Sequence, residues 1–200
     1  MEQLNLDKTI KVLNKYGLKF VDYKIIKSEK DLEKIKFPVV MKVSSEKIVH
    51  KSDKGGVIVG IKNKDNAFSA FEKLRNISKD IIIQKMISGK EVIIGMKKDS
   101  QFGPVIMFGL GGIFVEVLKD VSFRVCPVSK DDAISMMKEI KMYKVLEGFR
   151  GEKGVNVNAI ADIIVKISNL SLKENINEID LNPVMANEKE AVIVDARFMI

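Results

Sequence analysis

Three apolar runs, IIIQKMI, EVIIGMKKD and PVIMFGLGG, follow one another between Ile81 and Gly112 with only short polar breaks. Each has the length and the β-branched character of a strand, and no helix-length segment separates them. The grouping recurs along the chain. KFVDYKII, PVVMKVSS and GVIVGIK read as strands before this group, and FVEVLKDVSFRVCPV after it reads as a hairpin turning near Lys119 and Asp120. INEIDLNPVMA and AVIVDARFM form a final strand pair. Strands gathered in groups, with helices between the groups, argue for α+β lobes rather than a doubly wound parallel sheet.

The helices are legible from period and punctuation. DKTIKVLNKYG spaces Ile10, Leu13 and Tyr16 at helical intervals and stops at Gly17. SEKDLEKIK carries a Ser/Asp cap pattern and predicts a short helix ended by Pro38. KDNAFSAFEKLRNIS places Ala67, Phe68, Phe71 and Leu74 on one face. SKDDAISMMKEI has Ser129 and Asp132 in capping-box spacing, and NVNAIADIIVKISNLSLKE carries an Ile160, Ile163, Ile164, Ile167 stripe.

Composition excludes several classes. No apolar run approaches the roughly 18 residues of a membrane span, and the acid-bearing start MEQLNLDKTIKVL has no secretory core. A lone cysteine, Cys126, permits neither an internal disulfide nor a cysteine-built metal site. A cytoplasmic protein is the expectation. The net charge is +7, but 27 Asp and Glu residues are interspersed with the lysines and there is no Trp. That pattern is a solvated Lys/Glu surface rather than a nucleic-acid face, and its moderate positive field also suits anionic small molecules.

Several residues stand out against this background. Gly111 and Gly112 follow an apolar strand, where backbone N–H groups can approach an anion, although tight turns use the same residues. Glu178, Asp180 and Asn182 are spaced by two, so a strand would present all three on one face, and the next strand could bring Asp195 alongside. Hard oxygen donors of this kind suit Mg²⁺ beside nucleotide phosphates; a solvated strand edge is the alternative. Lys42 lies within VVMKVSS, either snorkelling to an edge or directed at an anion. The single histidine, His50, sits in VHKSDKGG between two strands, flanked by Lys51 and Lys54.

VVMKVSSEKIVHKSDKGGVIVGI, FGLGGIFVEVLKDVSFRVCPVS and EIDLNPVMANEKEAVIVDAR, in this order, resemble the ATP-grasp β subunits of ADP-forming acyl-CoA synthetases, such as archaeal acetyl-CoA synthetase. More distantly the chain resembles succinyl-CoA synthetase β subunits. The resemblance implies an ATP-grasp fold of two α+β lobes clamping a nucleotide, with sublobes near residues 20–90, including an N-terminal helix over 5–17, and 91–200. It implies that Lys42 contacts phosphate, that Gln84, Lys85, Met86 and Ile87 form the hinge meeting the adenine, and that Glu91 lies near the ribose. Gly111 and Gly112 become the glycine loop over the phosphates, Glu116 and Arg124 active-site residues, and Asn182 and Asp195, with Asp180 near them, the Mg²⁺ ligands.

His50 then resembles the histidine that carries a phosphoryl group to ADP. The implied reaction is acyl-CoA + ADP + phosphate ⇌ carboxylic acid + ATP + CoA. The chain shows no CoA-binding Rossmann pattern, so a partner is expected; the resemblance implies that it is a separate CoA-binding α subunit in an α2β2 heterotetramer, and neither a nucleic acid nor a membrane is expected. Two alternatives remain at this level: a standalone ATP-grasp carboxylate ligase forming an acyl phosphate, and a non-catalytic adenylate-sensing module. Neither requires His50.

Overall fold

A computed structural model describes residues 1–44, 55–112, 118–148 and 151–200. The chain divides into a smaller unit, Val21–Ile87, and a larger one formed by Met1–Phe20 with Ser88–Ile200. His50 and Glu116 lie outside the described residues.

The smaller unit holds β1 (Tyr23–Ile26), β2 (Val39–Val43), β3 (Val57–Ile61), α1 of this unit (Lys64–Arg75; called αA below) and β4 (Ile81–Lys85). The strands form one antiparallel sheet in the order β1-β4-β2-β3. Alternation along β2 and β4 sends Val39, Met41, Val43, Ile81 and Ile83 to one face. There they bury against Ala67, Ala70, Phe71 and Leu74 of αA. Fully burying a side chain such as Phe71 contributes about 1.5–3 kcal/mol, so this apolar face anchors the unit. Asn63 caps the helix, its side-chain oxygen accepting the Asn66 N–H at 2.9 Å. Phe68, expected on the buried stripe, is only partly buried. The helix expected up to Pro38 is a single 3₁₀ turn, Glu29–Leu32, held by a Ser28/Asp31 capping box. Leu32 is its one buried side chain, too little apolar surface to sustain further turns.

The larger unit contains an N-terminal helix αN (Leu6–Lys15), then β5 (Lys90–Asp99), β6 (Gly103–Leu110) and β7 (Val121–Val125). Helices αB (Lys130–Glu139), αC (Lys144–Glu147) and αD (Val157–Lys173) follow, and β8 (Glu178–Ala186), β9 (Ala191–Ile193) and β10 (Arg197–Met199) end it. Its antiparallel sheet runs β10-β8-β5-β6-β7, with β9 also on β8. αB and αD cover one face. Ile160, Ile163, Ile164 and Ile167 of αD are all buried, as their spacing predicts. Polar groups under the helices are matched: the Ser122 hydroxyl donates to the Met136 carbonyl at 2.7 Å, and the Ser168 hydroxyl accepts the Val128 N–H at 2.8 Å.

Three features differ from expectation. αN belongs to the larger unit, not to the smaller one. Lys15 and Tyr16 both reach Glu174, and Glu2 and Leu4 donate backbone N–H bonds to Ile200 and Phe198. KFVDYKII is a strand only from Tyr23, because Lys19 and Phe20 pair instead with Ile193 of the larger unit. AVIVDARFM is two strands rather than one, interrupted at 194–196. Of the anticipated FVEVLKDVSFRVCPV hairpin, β7 is described and pairs with β6, while 113–117 lie outside the described residues.

Candidate functional site

In the smaller unit the face turned away from αA carries Val40, Lys42, Ile82 and Gln84, set by the pairings Val40↔Gln84 and Lys42↔Ile82. Lys42 and Gln84 are each only 4% exposed. β2 lies between β4 and β3, so Lys42 is on an interior strand and does not snorkel to an edge. Its diagonal relation to Gln84 puts both within reach of one bound group. Past Gln84 the chain leaves β4 through Lys85 and Met86, whose N–H donates to the Pro38 carbonyl at 3.2 Å. Gln84, Lys85 and Met86 line a cleft of about 450 Å³ together with Tyr23, Phe37 and Pro38. Ile87 ends the unit, half-buried.

In the larger unit Glu91, Gly111 and Gly112 come together. The Gly111 N–H donates to the Glu91 carbonyl at 2.7 Å. A Cβ on Gly111 would lie 2.7 Å from the Glu91 Cβ, closer than side chains pack, so only glycine permits this approach. Gly112 has φ +63° and a hypothetical Cβ 3.5 Å from Glu91 Oε2. The three border a cleft of about 240 Å³ with Leu110 and Val145.

The acidic row is also assembled. Along β8, Ile179 and Leu181 are buried while Glu178 and Asp180 are half-buried and Asn182 is exposed. Beyond Asn182 the burial phase flips, so that Val184 and Ala186 face the core, and the β8 register against β5 shifts between Val92 and Ile94. The row therefore ends at Asn182. Arg197↔Asp180 in β10 and Val184↔Ile193 in β9 keep one common register, which places Asp195 opposite Asn182. Asp195 also accepts its neighbour Ala196's N–H at 3.1 Å. Among the described residues, no three His, Cys, Asp or Glu side chains cluster closely enough to hold a metal ion by themselves.

Arg124 is placed differently. Its pairing with Ile106 sets it on the αB side of the sheet, whereas Asp180 shares the other face with Gly95, Met107 and Phe123. There its guanidinium forms a forked contact with Glu139 of αB, one arm at 2.9 Å. That hydrogen bond holds the Glu139 carboxyl below the usual carboxylate range. The structure thus brings together Lys42 with Gln84, Glu91 with the glycines, and Asp180 with Asn182 and Asp195, and leaves Arg124 apart from Asp180. Sequence reasoning missed Arg197, which stands opposite Asp180 and bonds Glu178 at 3.1 Å. Its position two residues after Asp195 was the available signal. It also missed Asp120, whose two oxygens each accept a backbone N–H, from Lys141 and Met142, at 2.8 Å.

No helix among the described residues is long and apolar enough to cross a membrane. A family model for the ATP-grasp domain matches residues 1–200. The acetate–CoA ligase (ADP-forming) I subunit beta of Pyrococcus furiosus is 50% identical over 204 residues, spanning 94% of this chain and 88% of that protein. A solved acetyl-coenzyme A synthetase 1 of Ca. Korarchaeum cryptofilum, in complex with coenzyme A, Ca-AMPCP and HgCl⁺, matches with TM-score 0.90 and 40% identity over 100% of this chain and 93% of that one. A second structure of that enzyme, with coenzyme A and Mg-AMPPCP and its phosphohistidine segment pointing towards the nucleotide binding site, matches with TM-score 0.85 and 39% identity over 99% and 92%. On these similarities and the matched domain, the chain belongs to the ATP-grasp family, in the group that includes the β subunits of ADP-forming acetate–CoA ligases.

Proposed function

We propose that this chain is the nucleotide-binding β subunit of an ADP-forming acyl-CoA synthetase, working with a separate CoA-binding α subunit in an α2β2 assembly in the cytoplasm. One observation supports the reading: Asp180 and Asn182 lie on β8, and the break between β9 and β10 that holds Asp195 runs opposite Asn182, in a chain 50% identical to such a β subunit. The net reaction is acyl-CoA + ADP + phosphate ⇌ carboxylic acid + ATP + CoA. His50 receives the phosphoryl group from the α subunit and delivers it to ADP. In that step the N–P bond breaks, the imidazole nitrogen keeps the electron pair, and a β-phosphate oxygen forms the new O–P bond.

The remaining residues bind and orient. Gln84, Lys85, Met86 and Ile87 meet the adenine, and Glu91 the ribose. Lys42, buried on an interior strand, supplies fixed positive charge to the phosphates. Backbone N–H groups at Gly111 and Gly112 approach those phosphates without a side chain intervening. Glu116 keeps its place as an active-site candidate of the same reaction. The Arg124–Glu139 fork ties β7 to αB, so Arg124's contribution is to hold that sheet edge in position.

Two carboxylates and one amide oxygen are hard donors, and a set this small fits Mg²⁺, which keeps few protein ligands alongside nucleotide phosphates. Asp180, Asn182 and Asp195 would hold it. When bound, Mg²⁺ offsets phosphate charge during transfer.

The test combines the chain with its α subunit, labelled phosphate and acetyl-CoA. An acid-labile, base-stable label forms on His50, and added ADP discharges it as ATP. His50→Asn abolishes both labelling and ATP formation. Undiminished ATP formation by His50→Asn would refute the histidine route and favour a ligase that needs no such carrier.

A further inference from the structure

Asp120, immediately before β7, is a carboxylate only 7% exposed. Its Oδ1 accepts the Lys141 N–H and its Oδ2 the Met142 N–H, each at 2.8 Å. Charge-assisted bonds of this kind offset the cost of burying a carboxylate and hold the 141–142 turn in one place. The Met142 peptide carries that hold onward. Its N–H bonds Asp120, and its carbonyl accepts the Val145 N–H at 2.9 Å. Val145 belongs to αC, a single turn of four residues, Lys144–Glu147, whose start has no side-chain cap. One turn of helix does not sustain itself in water. Its far side is fastened by Leu146, which is fully buried and whose carbonyl accepts the Val155 N–H at 2.8 Å. Between these two fastenings Val145 lines the cleft of Glu91, Gly111 and Gly112.

That cleft is about 240 Å³, below the roughly 300–1,000 Å³ of clefts that take a whole ligand, so it suits one part of a nucleotide. Of its two apolar side chains, Leu110 is buried and Val145 half-buried, so Val145 presents the apolar surface. The Glu91 carboxylate offers acceptors to hydroxyl groups. A sugar ring, with a hydroxyl edge and a carbon face, matches that combination. We propose that Val145 packs against the ribose of the bound nucleotide, and that Asp120 is the positioning residue that holds it there through Met142. This inference rests on the nucleotide reading given above.

The experiment is calorimetric titration of the full chain, with Mg²⁺ present, using ADP and using pyrophosphate, which has no sugar. The variants are Val145→Ala, Asp120→Asn and the two combined. Val145→Ala removes apolar contact and should weaken ADP binding by about three- to tenfold. Asp120→Asn keeps the shape but sets an amide N–H against a backbone N–H, and should weaken ADP binding by a similar factor. The combined variant should bind ADP about as weakly as Asp120→Asn alone, because Val145 without its anchor has little left to contribute. Pyrophosphate affinity should stay unmoved in all three. A merely structural carboxylate would lower affinity for both ligands alike.

Unchanged ADP affinity in Val145→Ala or in Asp120→Asn overturns the proposal. So do equal losses of ADP and pyrophosphate affinity, or losses that add in the combined variant. If Asp120→Asn does not fold, Val145→Ala decides by itself. The unaltered chain separates the two levels of inference. If it binds ADP no more tightly than pyrophosphate, the nucleotide reading fails and this proposal with it. If it prefers ADP while the variants leave that preference unmoved, the proposal alone fails.

Discussion

Asp195 stands opposite Asn182, at a point where the last segment of the chain is no longer a strand. β9 ends at Ile193 and β10 begins at Arg197, yet both hold the same register on β8. The Val194 N–H, within the interruption, still donates to the Pro183 carbonyl at 3.2 Å. Asp195 thus lies at a break in the ladder opposite the exposed Asn182, where its carboxylate accepts the Ala196 N–H at 3.1 Å.

Replacing Asp195 by Asn tests that placement directly. The change preserves shape and removes one negative charge. Affinity for ADP in the presence of Mg²⁺ should fall at least about tenfold. Affinity for ADP measured with the metal chelated should be little altered. Calorimetry under the two conditions separates metal loss from general damage, and equal losses in both would count against Asp195 as a ligand.

The glycine pair gives a stability prediction. Gly111→Ala forces a Cβ to 2.7 Å from the Glu91 Cβ and 3.1 Å from the Glu91 carbonyl carbon, neither of which can swing aside. Destabilisation of about 1–3 kcal/mol is expected. Gly112→Ala meets strain from φ +63° but only an ordinary contact, 3.5 Å to Glu91 Oε2, and should cost about 1 kcal/mol. Urea unfolding should rank the two in that order.

The Arg124–Glu139 contact predicts a pH dependence. The hydrogen bond from Arg124, with its charge, holds the folded-state pKa of Glu139 below its ordinary 4.5. A depressed carboxyl contributes stability above its unfolded pKa and loses it as pH falls through the folded value. Glu139→Gln should therefore be less stable than the unaltered chain at pH 7. The gap should narrow below about pH 4.5 and close once the folded-state carboxyl is protonated. Urea midpoints across that range measure it, and a constant gap would show that the charge contributes nothing.

Much of the fold was legible where one residue's neighbours in sequence are also its neighbours in space. The isoleucine stripe of αD and the buried face of αA follow from helical period, and the Ser129 cap from its spacing of three to Asp132. Asp180 and Asn182 share a face because strand period is two. The 3₁₀ turn at Glu29–Leu32 is shorter than its sequence suggests because its Ser28/Asp31 spacing matches that of a capped longer helix, while its apolar payload is one leucine. The association of αN with the larger unit was illegible, since it depends on Glu174, which lies 159 residues from Lys15.

The candidate site divides along the same line. Sequence alone determined which side chains each strand offers: a lysine inside an apolar strand, a carboxylate row of period two, two glycines at a strand end. Tertiary structure alone decided which of them meet. Asp195 is set opposite Asn182 by the register of two short strands on β8, Arg124 is claimed by Glu139 across a sheet–helix contact, and Gly111 is required by the close approach of Glu91. The physical reason is range: period acts over a few residues through local geometry, whereas register and cross-element ion pairs arise only when distant segments are brought together.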